Sequence, residues 1–177
     1  MKSFRSLVVL KRPHVALWTI MRDHLINIAP NIADIEEIRQ LDRSVDVDGI
    51  VHIVNHWRVR HQVPPVIRSI LKTDEVSWID RNTWDASTFT CSWRIEPNFL
   101  TDYIDCAGHT VFAPAMAGRG ARVTFEGGFD LRPGVLGSSL GGIEKLMSAF
   151  LESIVTTIIP HNLRGIVEAA AAFELPK

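Results

Sequence analysis

Cysteine is scarce in this sequence: Cys91 and Cys106 are the only two among 177 residues. Two are too few for a secreted disulfide scaffold, and their spacing fits no zinc-ligand pattern. Long apolar runs are missing as well. The longest early one, Leu7-Val8-Val9-Leu10, is ended by Lys11-Arg12 and is too short for a signal-peptide core. Nothing approaches the ~20 apolar residues that span a bilayer. Neither sign of charge predominates. Nineteen Lys and Arg stand against twenty Asp and Glu, a net charge of −1, which argues against broad electrostatic binding to nucleic acid or anionic lipid. No GK[ST] loop, GxGxxG turn or HExxH occurs, so the usual nucleotide and zinc readings fall away. Internal repeats and a second linker are absent too. These absences lead to an expectation of a single domain over 1–177 in the cytoplasm, with no cofactor, no metal and no nucleic-acid partner.

The remaining composition is that of an ordinary globular chain, 46% hydrophobic and 22% charged. A chain of this length buries roughly 70% of the surface its unfolded form exposes and needs no staples. Ser3–Leu10 reads as a strand, and Pro13 suits the first turn of a helix carrying Val15, Leu17, Trp18, Met21 and Leu25. Ala29-Pro30-Asn31 breaks it. Asp34–Val45 and Ile50–Val59 read as a hairpin around Asp48-Gly49, closed either by a two-residue turn or by three residues with a glycine bulge. Val66–Leu71 reads as a short amphipathic turn or lid. Val76–Trp84, Thr88–Glu96, Asp102–Phe112 and Ala121–Leu131 alternate as strands with one covered and one wet face. After a Gly/Ser loop over 132–142 the period changes to 3.6. Ile143, Leu146, Met147, Phe150, Ile154, Ile158, Leu163, Ile166, Val167 and Ala170 make one long stripe, which Pro160 kinks or interrupts.

Two apparent motifs dissolve under geometry. Gly137-Ser138-Ser139-Leu140-Gly141 matches G-x-S-x-G, but Pro133-Gly134 separates it from its strand and no hydrolase sheet is implied; a loop with a serine cap is preferred. His52, His56 and His61 lie on or beside a strand, where four residues span roughly 13 Å, too far to share one ion.

The element order (strand, helix, about six strands, long C-terminal helix) resembles that of the helix-grip superfamily. So do Pro30-Asn31-Ile32-Ala33-Asp34-Ile35-Glu36 leading into the second strand, Arg122-Val123-Thr124-Phe125-Glu126 in the last one, and the terminal helix. That superfamily includes START lipid-transfer domains, polyketide cyclases, coenzyme-Q-binding proteins and the major pollen allergen. The resemblance covers nearly the whole chain. It implies an α+β fold in which a curved antiparallel sheet of about seven strands wraps a long C-terminal helix. It also implies a hydrophobic ligand between sheet and helix, with cyclisation or dehydration chemistry there in some members.

A four-residue turn over Asp85–Thr88 pairs Trp84 with Phe89 and Asn82 with Cys91. A turn over Pro97–Leu100 then pairs Trp93 with Ile104 and Cys91 with Cys106. On this register Trp78, Asp80, Asn82, Trp84, Phe89, Cys91, Trp93, Ile95, Ile104, Cys106, Thr110 and Phe112 face inward, beside Val51, Ile53, Asn55, Trp57 and Val59. Trp57, Trp84, Trp93, Phe125, Met147, Phe150 and Ile154 are expected to wall a cavity; Asn55, Asp80 and Asn82 are expected to orient a ligand within it. The tryptophans also read simply as core filling, and the polar trio as tolerated burial. The expected function is binding or transport of a hydrophobic small molecule or lipid. The rival is a polyketide cyclase or aromatase using Asp80 as acid or base, its pKa raised by the indoles. Apolar residues in 63–73 and 113–120 either pack on the domain's own surface or form a mobile entrance that touches a membrane during ligand exchange; net charge does not support the membrane contact.

Overall fold

The structure, a computed structural model, describes residues 2–60, 63–102, 104–132 and 141–175. The elements run β1 (Lys2–Leu10), α1 (His14–Asp23), the single turn α2 (Leu25–Ile28), a 3₁₀ turn (Ala29–Asn31), β2 (Ile35–Val45) and β3 (Val51–Val59). They continue with α3 (Pro65–Leu71), β4 (Val76–Asp85), β5 (Thr90–Pro97), β6 (Ile104–Ala115), β7 (Gly120–Leu131), α4 (Gly141–Ser153) and α5 (Ile159–Ala172). The strands form one antiparallel sheet in the order β1-β7-β6-β5-β4-β3-β2, open at β1 and β2. In β3 the burial alternates residue by residue, with Val51, Ile53, Asn55, Trp57 and Val59 all buried, as period two requires. The helices cover this face. Helix α1 packs on β6 and β7, and α5 packs on β1, α1 and α2.

The β2–β3 hairpin takes the three-residue form. The Asp46 N–H donates to the Ile50 carbonyl, the Gly49 N–H donates to the Asp46 carbonyl, and Gly49 sits at φ +79°. A Cβ there meets nothing within 4 Å, so Gly49→Ala is expected to cost about 1 kcal/mol of backbone strain alone. Urea unfolding checks this; an unchanged midpoint contradicts the left-handed assignment.

The registers of the next two hairpins differ from the sequence expectation. Trp84 pairs with Cys91 and Asn82 with Trp93, a shift of two residues, because Phe89 leaves the strand for a left-handed turn at φ 51°. Trp93 pairs with Gly108 and Cys91 with Thr110, a shift of four, so Cys91 and Cys106 are not opposite one another. Both are free buried thiols. Shifts by even numbers keep every side chain on its face, and Asn82, Trp84, Cys91, Trp93, Cys106, Thr110 and Phe112 remain inward and buried.

The C-terminal helix is not broken at Pro160. A π turn over Ile154–Ile158 precedes the proline, which lies in the first turn of α5. Proline has no N–H and collides with the carbonyl four residues back; the wider turn accommodates both without ending the helix. The segment 113–120 is less of a loop than expected. Ala113–Ala115 complete β6, a tight turn at Met116–Gly118 follows, and β7 begins at Gly120. In 63–73, Val63 and Ile67 are buried while Val66 is exposed, as is Met116 in the other segment. Phe99 is also buried, its ring 6.2 Å from that of Phe150. The G-x-S-x-G pattern falls largely on 137–140, and His61 with it, outside the described residues. Among the described residues no helix is long and apolar enough to cross a membrane.

Candidate functional site

One row of inward residues runs across the sheet as Ile53, Asn82, Trp93, Gly108, Gly127 and Phe4. Two glycines in succession leave a trough in the face, and the Trp93 indole lies in it. A Cβ added at Gly108 or Gly127 would fall 2.4 Å or 2.3 Å from that ring. The indole reaches Phe4 with ring centroids 6.0 Å apart and donates from Nε1 to Thr110 Oγ1 at 3.2 Å. Beside it Trp57 and Trp78 stand directly opposite on β3 and β4 and stack at 5.9 Å. Trp84 meets Trp18 of α1 edge-on at 5.8 Å.

Asp80 lies among these rings and is buried. Its Oδ2 accepts from Asn82 Nδ2 at 2.7 Å and from Trp57 Nε1 at 3.2 Å, and Asn55, opposite it on β3, adds another hydrogen bond. Burial raises its pKa to about 6, against the lowering effect of those three bonds. The expected polar trio is therefore one connected group, with Asn82 Oδ1 also accepting from Cys91 Sγ at 3.4 Å. Burial, then the charge of Asp80, lifts the Cys91 thiol well above its ordinary range. Cys106 is pushed up to about 12 by burial and by the charges of Asp105 and Asp80. Neither thiol is a nucleophile at neutral pH.

The sheet and the helices do not meet everywhere. A cavity of about 60 Å³ lies between them. Its sheet wall includes Trp57, Trp78, Asp80, Asn82, Trp84, Trp93 and Phe125; Met21 and Leu25 close it from α1 and α2, and Ile159, Asn162, Leu163 and Ile166 from α5. Two hollows of about 20 Å³ adjoin it. One holds Ile154 and shares Trp78, Ile95 and Ile159 with the main cavity; the other holds Asn55 and shares Met21, Leu25 and Trp84. An outer groove between Asn31–Asp34 and α5 reaches Asn162 from the far side.

Six of the expected wall and orienting residues thus line the main cavity: Trp57, Asp80, Asn82, Trp84, Trp93 and Phe125. Asn55 and Ile154 line the adjoining hollows. Met147 and Phe150 are buried in α4 away from all three. Asn162 was not among the expected residues, although it occupies a legible place, three after Ile159 and four before Ile166, on the buried stripe of α5. Two of the cavity's polar side chains have no protein partner: Trp84 at Nε1, and Asn162 at both Nδ2 and Oδ1.

No family model and no curated protein matches the sequence. Solved structures match the chain over nearly its whole length. The Zhui aromatase/cyclase from Streptomyces sp. R1128 superposes with a TM-score of 0.68 at 14% identity, covering 96% of this chain and 93% of that one. TTHA0849 from Thermus thermophilus gives 0.64 at 18%, covering 96% and 97%. Truncated norcoclaurine synthase from Thalictrum flavum gives 0.64 at 11%, covering 99% and 95%. At these identities the likeness is one of fold: this is the helix-grip fold, with a seven-stranded antiparallel sheet and a long C-terminal helix.

Proposed function

We propose that this protein binds a hydrophobic, ring-bearing small molecule in the cavity between the sheet and α5. The observation that carries the reading is a hollow walled by four indoles around one buried carboxyl, where a packed core would have none. Aromatic walls suit a flat ligand. The main cavity is small and shares lining side chains with both adjoining hollows. A ligand larger than one ring is accommodated by rotating Trp78, Ile159 or Leu25.

Cavity filling tests the reading. Ile166 is buried and lines the space, so Ile166→Phe places extra carbons where the ligand sits. The variant is expected to keep its melting temperature and to lose at least tenfold in affinity for single-ring probes, read by tryptophan fluorescence. Undiminished affinity in a folded variant contradicts this location.

The second reading is acid–base catalysis by Asp80, favoured by its burial and a pKa of about 6 beside the cavity. Cyclase and synthase neighbours in the same fold make it the natural enzymatic alternative. Asp80→Asn separates the two. Intact affinity with turnover lowered at least a hundredfold supports catalysis. Without turnover in the wild type, the binding protein stands.

A further inference from the structure

The cavity also restricts the chemistry of what fills it, an inference that rests on the binding reading above. Among the described residues lining it there is no Lys, Arg or His, and its one carboxyl is Asp80. That carboxyl accepts from Trp57, Asn82 and Asn55 and has no basic partner. The nearby cations are engaged elsewhere: Arg22, in the adjoining hollow, pairs with Asp23 at 2.6 Å, and along the outer groove His161 pairs with Asp34 at 3.1 Å and Arg164 with Glu168 at 3.2 Å. A carboxylate or phosphate entering the cavity would lose its hydration and find no counter-charge.

The unpartnered groups specify the rest. Trp84 lines the cavity from the sheet with its Nε1–H buried and unpartnered; Asn162 lines it from α5, between it and the outer groove, with both amide atoms buried and unpartnered. An indole N–H only donates, whereas a carboxamide donates and accepts. Each such group left dry and unpaired is costly, so each favours a ligand that completes it. We propose that the ligand is an uncharged, ring-bearing molecule with carbonyl, amide or hydroxyl groups set against Trp84 and Asn162, and that anionic ligands are refused. The site thereby discriminates against fatty acids and other free acids of the same apolar size.

Three single-ring probes of similar size test this on ¹⁵N-labelled protein at pH 7.5: benzamide, benzoate and toluene. The Trp84 indole resonance is assigned by its loss in Trp84→Phe. Benzamide is expected to bind at least tenfold more tightly than benzoate and more tightly than toluene, and to move the Trp84 Nε1–H resonance downfield. Asn162→Leu is expected to weaken benzamide at least fivefold and to leave toluene unweakened. Benzoate or toluene binding as tightly as benzamide to the wild-type protein overturns the chemical assignment while leaving the binding site in place. This comparison requires no variant to fold. If none of the three moves any cavity indole up to its solubility limit, the binding reading itself falls, and the assignment with it.

Discussion

Asp80→Asn is expected to gain stability relative to the wild type as the pH rises. The carboxyl's pKa is raised by burial from 3.8 to about 6. An acid whose folded pKa is raised contributes stability that is complete below the unfolded value and is lost as the pH climbs through the folded one. Between about pH 4 and pH 6 the folded protein holds a proton that the unfolded chain has already released. The shift corresponds to roughly 3 kcal/mol in all, and about half of it falls between pH 5 and pH 8 by the same linkage. The asparagine cannot ionise. It also loses part of the hydrogen bonding from Trp57, Asn82 and Asn55, but that loss is the same at both pH values and cancels in the comparison. Denaturant unfolding of both proteins at pH 5 and pH 8 should therefore show the variant gaining about 1.5 kcal/mol on the wild type between them. A difference that does not change with pH would mean that Asp80 titrates as an exposed carboxyl, and the acid–base reading would lose its basis.

The second large effect is expected at the glycine trough. At Gly127 an added Cβ falls 2.3 Å from the far edge of the Trp93 indole, with the Ala107 carbonyl at 3.1 Å. At Gly108 it falls 2.2 Å from the backbone carbonyl of Glu126 as well as 2.4 Å from Trp93. The indole cannot swing aside, because Phe4 stacks on it and Thr110 accepts its N–H. Gly127→Ala and Gly108→Ala are each expected to cost about 3 kcal/mol. Trp93→Phe shortens the obstructing ring, so the two sites should respond differently. Combined with Gly127→Ala it should recover more than about 1 kcal/mol relative to the sum of the single effects. Combined with Gly108→Ala it should recover little, because the backbone carbonyl remains. Equal coupling at both positions, measured by a pair of double-mutant cycles, would contradict the placement of Trp93 in the trough.

Why the faces were legible and the pairings were not follows from period two. Asn55, Trp57, Trp78, Asp80, Asn82, Trp84 and Trp93 are assigned inward from alternation alone, and that assignment survives any slip by an even number of residues. The pairings themselves depend on turns. Phe89 reads as a strand residue by its type, yet it turns left-handed at the tip and packs its ring on Trp18 at 5.7 Å. Tertiary contact with α1, invisible in local pattern, sets the register there. The terminal helix poses the opposite difficulty. Before residue 154 its Met147 and Phe150 are buried but its Leu146 is exposed, and after it the π turn advances the phase, so Ile159 is buried where Ile158 is only partly so. A stripe extrapolated at 3.6 residues per turn through Pro160 therefore passes over Asn162, the polar group that faces the aromatic wall from the helix side. Met147 and Phe150 share the stripe and are buried as expected, but in the part of the helix beyond the cavity. The size and limits of a hollow depend on which side chains fall short of one another, which periodicity does not encode.

A crystal structure of the protein soaked in benzamide tests the account most directly. It is expected to show the ring held between the indoles of the sheet and α5, its amide bonded to Trp84 Nε1 and Asn162. Saturated crystals in which that space is closed by the protein's own side chains, or in which the probe lies only in the outer groove, would contradict the account.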